Sequence, residues 1–142
     1  MTMKLYLDTC VWCRPFDEEN ERILRETNAL QSILKKVDEE EVEIIGSSVL
    51  LVEVSLISFK EKKESIEELI NKVCKIVTLT ENSIKLAEEI MQRCKINAMD
   101  ALHLSIAAEN ADIFITVDDE ILNKSKCLSK YLSIKNPIEV SK

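Results

Sequence analysis

The sequence contains a single glycine and a single histidine, and each scarcity excludes a class of site. Phosphate-binding P-loops and dinucleotide-binding fingerprints need several glycines where the backbone approaches phosphate, so neither can be built around Gly46 alone. Zinc proteases that bind their metal through two helical histidines are excluded because His103 has no second histidine beside it. Any Ser-His-Asp triad would have to use that one residue.

The sequence also has no apolar run of the roughly 18 residues that a membrane span requires and no apolar leader at its start. We therefore expect a soluble, cytoplasmic protein. The five cysteines are irregularly spaced in a chain too large to need disulfide bonds for folding, which predicts mostly reduced thiols. A formal net charge of -7 argues against an unstructured electrostatic nucleic-acid binder. It does not argue against a metal-assisted nuclease, whose own carboxylates make the charge negative.

The pattern that is present is typical of one small α/β domain over residues 1–142, without a linker, repeat or low-complexity tract. Short apolar strands alternate with helices, which predicts a three-layer α/β/α fold with a central, mostly parallel sheet of four to five short strands. Strands are predicted at Met3–Leu7, Val42–Ser47, Lys75–Leu79, Ile113–Thr116 and, as a possible edge strand after Pro137, Ile138–Val140.

Helices are predicted from the spacing of apolar residues between these strands. The segment Thr9–Asp17 is predicted to be a loop because it contains Pro15. In the segment Ser48–Phe59, apolar residues cover nearly every side, which is typical of a buried helix. The predicted helices are Glu18–Asp38, Ser48–Phe59, Lys62–Lys72, a helix from Thr80 or Asn82 to about Cys94, Ala98–Asn110 and Asp119–Lys126.

Four carboxylates differ from the other acidic side chains. Most glutamates lie beside lysines on helix faces, where they serve solubility. Four acids instead have apolar neighbours in elements predicted to be buried, where a carboxylate needs a partner or a function. They are Asp8, Glu53, Asp100 and Asp118. Asp8 and Asp118 follow strands, at the edge where open parallel sheets bind ligands.

The other two acids can face the same crevice, since Glu53 lies in the second turn of its helix and Asp100 near the start of its own. Four converging carboxylates would repel one another unless a divalent cation lay among them, and oxygen ligands suit Mg²⁺ or Mn²⁺. Taken singly, each acid has a structural explanation. Asp8 could form a turn, Asp100 and Asp118 could cap helices, and Glu53 could pair with a buried lysine.

Four segments resemble the motifs of the PIN domain family. LYLDTCVWCRPFDEEN resembles its opening strand and loop, SSVLLVEV its acidic second helix, MDALHLSIAAENAD its third motif and FITVDD its fourth. The resemblance implies a metal-dependent ribonuclease with a central parallel sheet, and many PIN domains are toxins of VapBC-type toxin–antitoxin pairs. It assigns the metal-binding role to the four acids, with Thr116 as a supporting polar residue and Asp119 as a carboxylate that could substitute or assist. Cys10 departs from the pattern, because many relatives have Asn or another polar residue there.

The implied chemistry is hydrolysis of RNA phosphodiester bonds through a metal-activated water, with 5′-phosphate and 3′-hydroxyl products. Basic residues at the rim of the site are candidates for contacting single-stranded or structured RNA. They are Arg14, Arg93 and Lys95, with Lys124 and Lys126 further along the chain. The resemblance also implies a possible antitoxin that would occupy the crevice, and a homodimer.

Other hypotheses remain open. The first is a PIN-like scaffold that no longer cuts RNA and acts through protein contacts. A phosphoacceptor domain would need an acidic pair on the first strand, and a phosphohydrolase would favour a second Asp in place of Cys10. The Cys10-Val11-Trp12-Cys13 motif invites a redox interpretation, but no helix is predicted to begin there. His103, three residues after Asp100, is predicted to be a hydrogen-bonded core residue. Trp12 and Phe16 are predicted to pack in the core or an interface rather than to stack on a base.

Overall fold

Five parallel strands form one central sheet in the computed structural model, which describes residues 2–141. Met1 and Lys142, the ends of the predicted 1–142 domain, lie outside the described residues. The strands are β1 (Met3–Leu7), β2 (Val42–Ser47), β3 (Cys74–Val77), β4 (Ile113–Ile115) and β5 (Ser133–Lys135). Their order is β3-β2-β1-β4-β5, and every neighbouring pair is parallel. The predicted sheet is confirmed, with five strands rather than four.

Nine helices connect and flank these strands in the described part of the chain, together with a 3₁₀ turn at Arg14–Phe16. They are α1 (Thr9–Cys13), α2 (Glu21–Asp38), α3 (Ser48–Ser55), α4 (Lys60–Val73), α5 (Glu81–Cys94), α6 (Ala98–Asn110), α7 (Asp119–Leu122), α8 (Ser125–Leu128) and α9 (Pro137–Val140). The predicted bounds of α6 agree with the structure, and those of β1 and β2 do as well.

The helices form two hydrophobic cores on opposite faces of the sheet. On one face, α1 to α4 pack apolar residues such as Trp12, Leu30 and Ile70 against β1 and β2. On the other, α5 to α8 pack residues such as Ile90 and Leu104 around the sheet. Alternate residues of each buried strand therefore belong to different cores, as in a parallel sheet covered on both faces. The predicted three-layer α/β/α architecture is confirmed.

Two segments have a different secondary structure from the one predicted. Residues Thr9–Cys13 form α1 instead of a loop, because the side chain of Asp8 accepts a hydrogen bond from the Thr9 amide at the helix start. The predicted strand Ile138–Val140 is wrong. Asn136 caps a helical turn that begins at Pro137, where proline is favoured, and the edge strand is β5.

The prediction that α3 is buried on all sides is also wrong. The helix ends at Ser55, and one of its faces is open to solvent. Val52, Leu56 and Phe59 are 55%, 73% and 72% exposed. The apolar residues of this segment therefore form a surface patch as well as a core contact.

The prediction of mostly reduced thiols holds for Cys10, Cys13 and Cys74, which are free. It is wrong for Cys94 and Cys127, which form a disulfide bond. These cysteines are 33 residues apart in sequence, and the contact between α5 and α8 brings them together. Among residues 2–141, no helix is long and apolar enough to cross a bilayer.

Candidate metal centre

Asp8 occupies the centre of a cleft at the carboxyl ends of the strands. Its backbone amide donates to the carbonyl of Ile115 at 2.9 Å, which ties it to the end of β4. Oδ1 of Asp8 accepts from the amide of Thr9, and Oδ2 accepts from the hydroxyl of Thr116, both at 2.8 Å. The side chain is 5% exposed. The carboxylate is therefore held at both oxygens before any ligand binds.

Thr116 links Asp8 to Asp118. Its hydroxyl donates to Oδ2 of Asp8 and accepts from the amide of Asp118 at 3.0 Å. Asp118 itself caps α7 through Oδ1, which accepts from the amide of Glu120 at 2.9 Å. The strand-end hydroxyl thus sets the spacing of two acids that are distant in sequence, and the capping of α7 leaves Oδ2 of Asp118 without a hydrogen bond from residues 2–141.

Glu53 reaches the cleft from the second turn of α3. Oε1 accepts hydrogen bonds from the hydroxyl of Thr9 and from Nε2 of His103, the latter at 3.0 Å. Within the described residues, Oε2 has no hydrogen-bond donor. One oxygen of the carboxylate is thus anchored, and the other is available to a ligand.

Asp100 lies in the first turn of α6 and is oriented by the residue that caps this helix. Nδ2 of Asn97 donates to Oδ2 of Asp100 at 2.8 Å, and the amide of Asp100 donates to Oδ1 of Asn97 at 2.9 Å. This reciprocal pair fixes the side chain at the helix start, where the partial positive charge of the helix favours a carboxylate.

The four predicted acids line one cleft of about 270 Å³, together with Thr9, Cys10 and Cys13. Asp8, Glu53 and His103 form its tightest group, with one potential ligand atom from each within 4.8 Å of the others. Asp100 and Asp118 line the same cleft outside that group. The structure therefore brings together residues from β1, α3, α6 and the end of β4.

The charges of the cleft are not balanced by the protein. Among residues 2–141, no lysine or arginine forms an ion pair with any of the four acids. Burial raises the pKa of Asp8. Burial and the nearby charges of Asp8 and Asp118 raise the pKa of Asp100 to about 6. The pKa of Glu53 is lowered instead, chiefly by the hydrogen bond from His103.

These carboxylates fit a divalent cation. An oxygen-rich site with excess negative charge suits Mg²⁺ or Mn²⁺, and a cation in the cleft would remove the repulsion that raises the pKa of Asp100. Cys10 Sγ lies 3.4 Å from both Oδ2 of Asp8 and Oγ1 of Thr116. Burial and the charge of Asp8 raise the pKa of this thiol. Although Cys10 does lie at a helix start, it is therefore a neutral neighbour of the acids, and the redox interpretation gains no support.

The PIN domain family profile matches residues 5–126, the segment that contains all four acids. The chain belongs to the PIN domain family. The predicted family is thereby confirmed. No curated protein matches the sequence significantly.

Solved structures share the fold of this PIN domain. VapBC2 from Rickettsia felis, bound to a DNA fragment from their promoter, is 18% identical with a TM-score of 0.65, covering 94% of this chain and 98% of that chain. VapBC-1 from nontypeable Haemophilus influenzae is 15% identical with a TM-score of 0.62, covering 95% and 98%. FitAcB from Neisseria gonorrhoeae is 19% identical with a TM-score of 0.58, covering 94% and 97%. At these identities the similarity is one of fold.

Two residues predicted at the site of this PIN domain have their side chains in another cluster. Asp119 lies beside Asp118 in sequence, but its carboxylate binds the guanidinium of Arg22 through contacts of 2.8 and 2.9 Å. The guanidinium of Arg14 binds Glu26 at 2.7 Å and Asp17 at 3.1 Å. Neither Asp119 nor Arg14 lines the cleft.

Of the other basic residues predicted at the rim, Arg93, Lys95 and Lys126 are exposed and Lys124 is half-buried. Arg93 and Lys95 lie at the end of α5, a few residues before Asp100. Nζ of Lys124 donates to the carbonyl of Lys95, where the backbone turns with a positive φ of 57°. This contact connects the turn between α7 and α8 to the segment that leads into α6.

Sequence reasoning did not identify Glu26, and it did not identify the partner of His103. Glu26 is 1% exposed and pairs with both Arg14 and Arg22; the spacing of four between Arg22 and Glu26 on α2 was the available signal. His103 is a hydrogen-bonded core residue, as predicted, but its partner is Glu53 rather than the nearby Asp100. The hydrogen bond of His103 thus joins α6 to α3, across 50 positions of the sequence.

Proposed function

We propose that this PIN domain is a divalent-metal-dependent endoribonuclease that hydrolyses RNA phosphodiester bonds. The observation that supports the proposal is the uncompensated cluster of Asp8, Glu53, Asp100 and Asp118 in one cleft. A partly buried cluster of carboxylates without a cationic partner is costly, and functional sites are where such costs are retained.

The four acids would hold Mg²⁺ or Mn²⁺. When bound, such an ion supplies a water of lowered pKa and stabilises negative charge on the phosphoryl and leaving oxygens. Thr116 keeps Asp8 and Asp118 at a set spacing, and Thr9 and His103 anchor one oxygen of Glu53. The protein thereby presents ligands whose positions are settled before binding.

Exposed basic residues would bind the RNA backbone. Arg93 and Lys95 are exposed and lie just before the helix that carries Asp100, which makes them the candidates for contacts to RNA phosphates near the cleft. Arg14 is less suited to this role because its guanidinium is already paired with Glu26 and Asp17.

The direct test is cleavage of labelled RNA, one single-stranded and one structured, by purified protein with Mn²⁺ or Mg²⁺ and with EDTA. We expect metal-dependent cleavage by the wild type and none by the Asp8→Asn, Asp100→Asn double variant. Calorimetry on both proteins measures whether metal binds. If the wild type neither cuts RNA nor binds metal, the ribonuclease proposal fails and the silent PIN-like scaffold becomes the better hypothesis.

We further propose that the domain is the toxin of a toxin–antitoxin pair and forms a homodimer. The similar structures carry the names VapBC and FitAcB. An exposed apolar patch of Val52, Leu56 and Phe59 lies next to Glu53 in sequence, and such patches favour protein contacts. Beside it, an apolar groove of about 280 Å³ includes Val49 and Leu102.

The two partners are tested separately. Light scattering on the purified protein should give the mass of a dimer, and a Leu56→Ser, Phe59→Ser variant should give that of a monomer. For the antitoxin, a small protein encoded beside this chain should co-purify with it and suppress RNA cleavage. A monomeric wild type would contradict the homodimer, and an active enzyme that binds no such protein would contradict the toxin role.

A further inference from the structure

A buried chain of hydrogen bonds runs from the end of β2 to the cleft. Oγ of Ser47 lies 2.7 Å from the hydroxyl of Tyr6, and this hydroxyl lies 2.6 Å from Nδ1 of His103. Nε2 of His103 then lies 3.0 Å from Oε1 of Glu53. Ser47, Tyr6 and His103 are completely buried. Of these four residues, only Glu53, the last in the series of hydrogen bonds, lines the cleft.

The direction of proton donation follows from the groups around Ser47. Its Oγ accepts from the amide of Leu50 at 3.0 Å, as the cap of α3. Within residues 2–141, the remaining partner of this hydroxyl is Tyr6, so Ser47 donates its proton to Tyr6. A phenol that accepts this proton has its own proton left for Nδ1 of His103. The imidazole therefore carries its proton on Nε2 and donates it to Glu53.

We propose that His103 is a positioning residue: Ser47 and Tyr6 hold it as the Nε2–H tautomer, so that it anchors Oε1 of Glu53 and leaves Oε2 for the metal. The role of Oε2 rests on the proposed function, whereas the tautomer does not. Hydrogen-bond partners of metal ligands commonly set ligand orientation in this way.

The geometry also separates this role from direct metal binding. Asp8, Glu53 and His103 lie close enough to share one ion. However, a protonated Nε2 has no lone pair for a metal, and Nδ1 is turned away towards Tyr6. His103 therefore acts on the metal through Glu53.

The presence of a single histidine makes the tautomer measurable. Long-range ¹H–¹⁵N correlation spectra of ¹⁵N-labelled, metal-free protein should show one imidazole with Nε2 protonated and Nδ1 unprotonated. The Tyr6→Phe variant, which removes the donor to Nδ1, should show a mixture of tautomers. A wild type protonated on Nδ1 would overturn the proposal, and so would loss of the Nε2 proton on addition of Mg²⁺, which would indicate direct ligation.

Metal affinity tests the positioning role. We expect His103→Leu to weaken Mn²⁺ binding by about 10–100-fold in calorimetry, whereas His103→Gln, which keeps an N–H donor, should recover most of that affinity. The matched control is Ser105→Ala, at another buried polar residue of α6, and it should bind Mn²⁺ like the wild type. Within residues 2–141, the hydroxyl of Ser105 bonds only the carbonyl of Leu102.

Circular dichroism establishes whether each variant is folded. If His103→Leu does not fold, the Mn²⁺ affinity of His103→Gln is compared with that of the wild type instead. A folded Leu variant with wild-type Mn²⁺ affinity, or a Gln variant no better than Leu, would overturn the positioning role. If the wild type binds no Mn²⁺, the proposed function fails, while the NMR result on metal-free protein still decides the tautomer.

Discussion

Asp118 and Asp119 are consecutive in the chain, yet their side chains enter two clusters of opposite design. Asp118 lines the cleft with Asp8, Glu53 and Asp100. Asp119 belongs to an arginine cluster, which we define as Arg14, Arg22, Glu26 and Asp119. The hydrogen bond from Arg22 lowers the pKa of Asp119, whereas burial and neighbouring carboxylates raise that of Asp100. The pKa values of two aspartates in neighbouring clusters are thus shifted in opposite directions.

The arginine cluster shows how this protein buries a carboxylate that serves structure. Glu26 is almost fully buried, and it accepts hydrogen bonds from Arg14, Arg22 and Asn136. Two cations and an amide replace the water that the carboxylate has lost. The cleft acids receive hydroxyl, thiol, amide and imidazole donors instead. Among residues 2–141, no lysine or arginine pairs with these acids as Arg14 and Arg22 pair with Glu26.

The two clusters are also mechanically connected. Nη2 of Arg22 donates to the carbonyl of Val117 at 2.9 Å while the same guanidinium holds Asp119. Arg22 therefore binds the residues on both sides of Asp118. The arginine cluster therefore restrains the backbone of Asp118, one of the four acids of the cleft.

The largest expected effect is on RNA cleavage and compares the consecutive acids. Asp118→Asn should lower the cleavage rate by about 100-fold or more, because it removes a charged ligand of the proposed metal. Asp119→Asn, its matched control, should stay within about threefold of the wild type, since an exposed ion pair contributes little. Rates are measured at saturating Mn²⁺. Equal losses in both variants would contradict the separation of the clusters.

A second comparison concerns the stability of the metal-free protein. Glu26→Gln should lower the free energy of unfolding by about 2–3 kcal/mol, because Arg14 and Arg22 lose a charged acceptor. Asp100→Asn should leave the stability equal or raise it, since it removes a repelling charge. Urea denaturation monitored by circular dichroism measures both. A cleft variant as destabilised as Glu26→Gln would show that the cleft acids serve the fold.

A third prediction concerns how pH changes the stability and the Mn²⁺ affinity of the protein through Asp100. Asp100 has a pKa of about 6 in the folded protein and an ordinary value near 3.9 when unfolded, so the folded state binds more protons between these values. Stability of the metal-free protein should therefore fall as pH rises from about 4 to 7. Mn²⁺ affinity should rise over that range because the metal displaces the proton. Thermal unfolding and calorimetry check both trends, and the Asp100→Asn variant should flatten them.

The smallest expected effect is on RNA binding and compares two exposed basic residues with the paired Arg14. Arg93→Ala and Lys95→Ala should each weaken RNA affinity about threefold and reduce its salt dependence by roughly 0.7 in the slope of log K against log salt. Arg14→Ala should leave RNA affinity unchanged and lower the stability instead, because its guanidinium is paired with Glu26 and Asp17. Fluorescence anisotropy against a salt series makes the measurement. An Arg14 variant with the larger binding loss would contradict this assignment.

Local sequence patterns predicted those elements whose signals are long or strongly apolar. The bounds of α6 and of β1 agree because both segments are mostly apolar and a polar residue marks one end, Asn97 before α6 and Asp8 after β1. Short elements were harder. The five residues of α1 are too few for helical periodicity, and the strand predicted after Pro137 is a helical turn because its capping side chain outweighs its apolar residues.

The candidate acids were predictable because three of them are attached to recognisable strand ends or helix starts, and strand ends of a parallel sheet share one edge. Their partners were not. His103 shares a helix with Asp100 but bonds to Glu53, since α6 packs against β1 and places the imidazole between Tyr6 and α3. Such contacts join residues 50 or more positions apart, and no local pattern records them.

The sequence by itself determined the alternation of strands and helices and the four acids at one sheet edge, because apolar periodicity and the rules of parallel connections are local properties. Only the tertiary structure decided which carboxylates are neutralised. Asp118 and Asp119 have the same chemistry and adjacent positions, but the packing of α2 against the end of β4 brings Arg22 to one of them and not to the other. Electrostatic pairing depends on distance in space, and folding alone sets that distance.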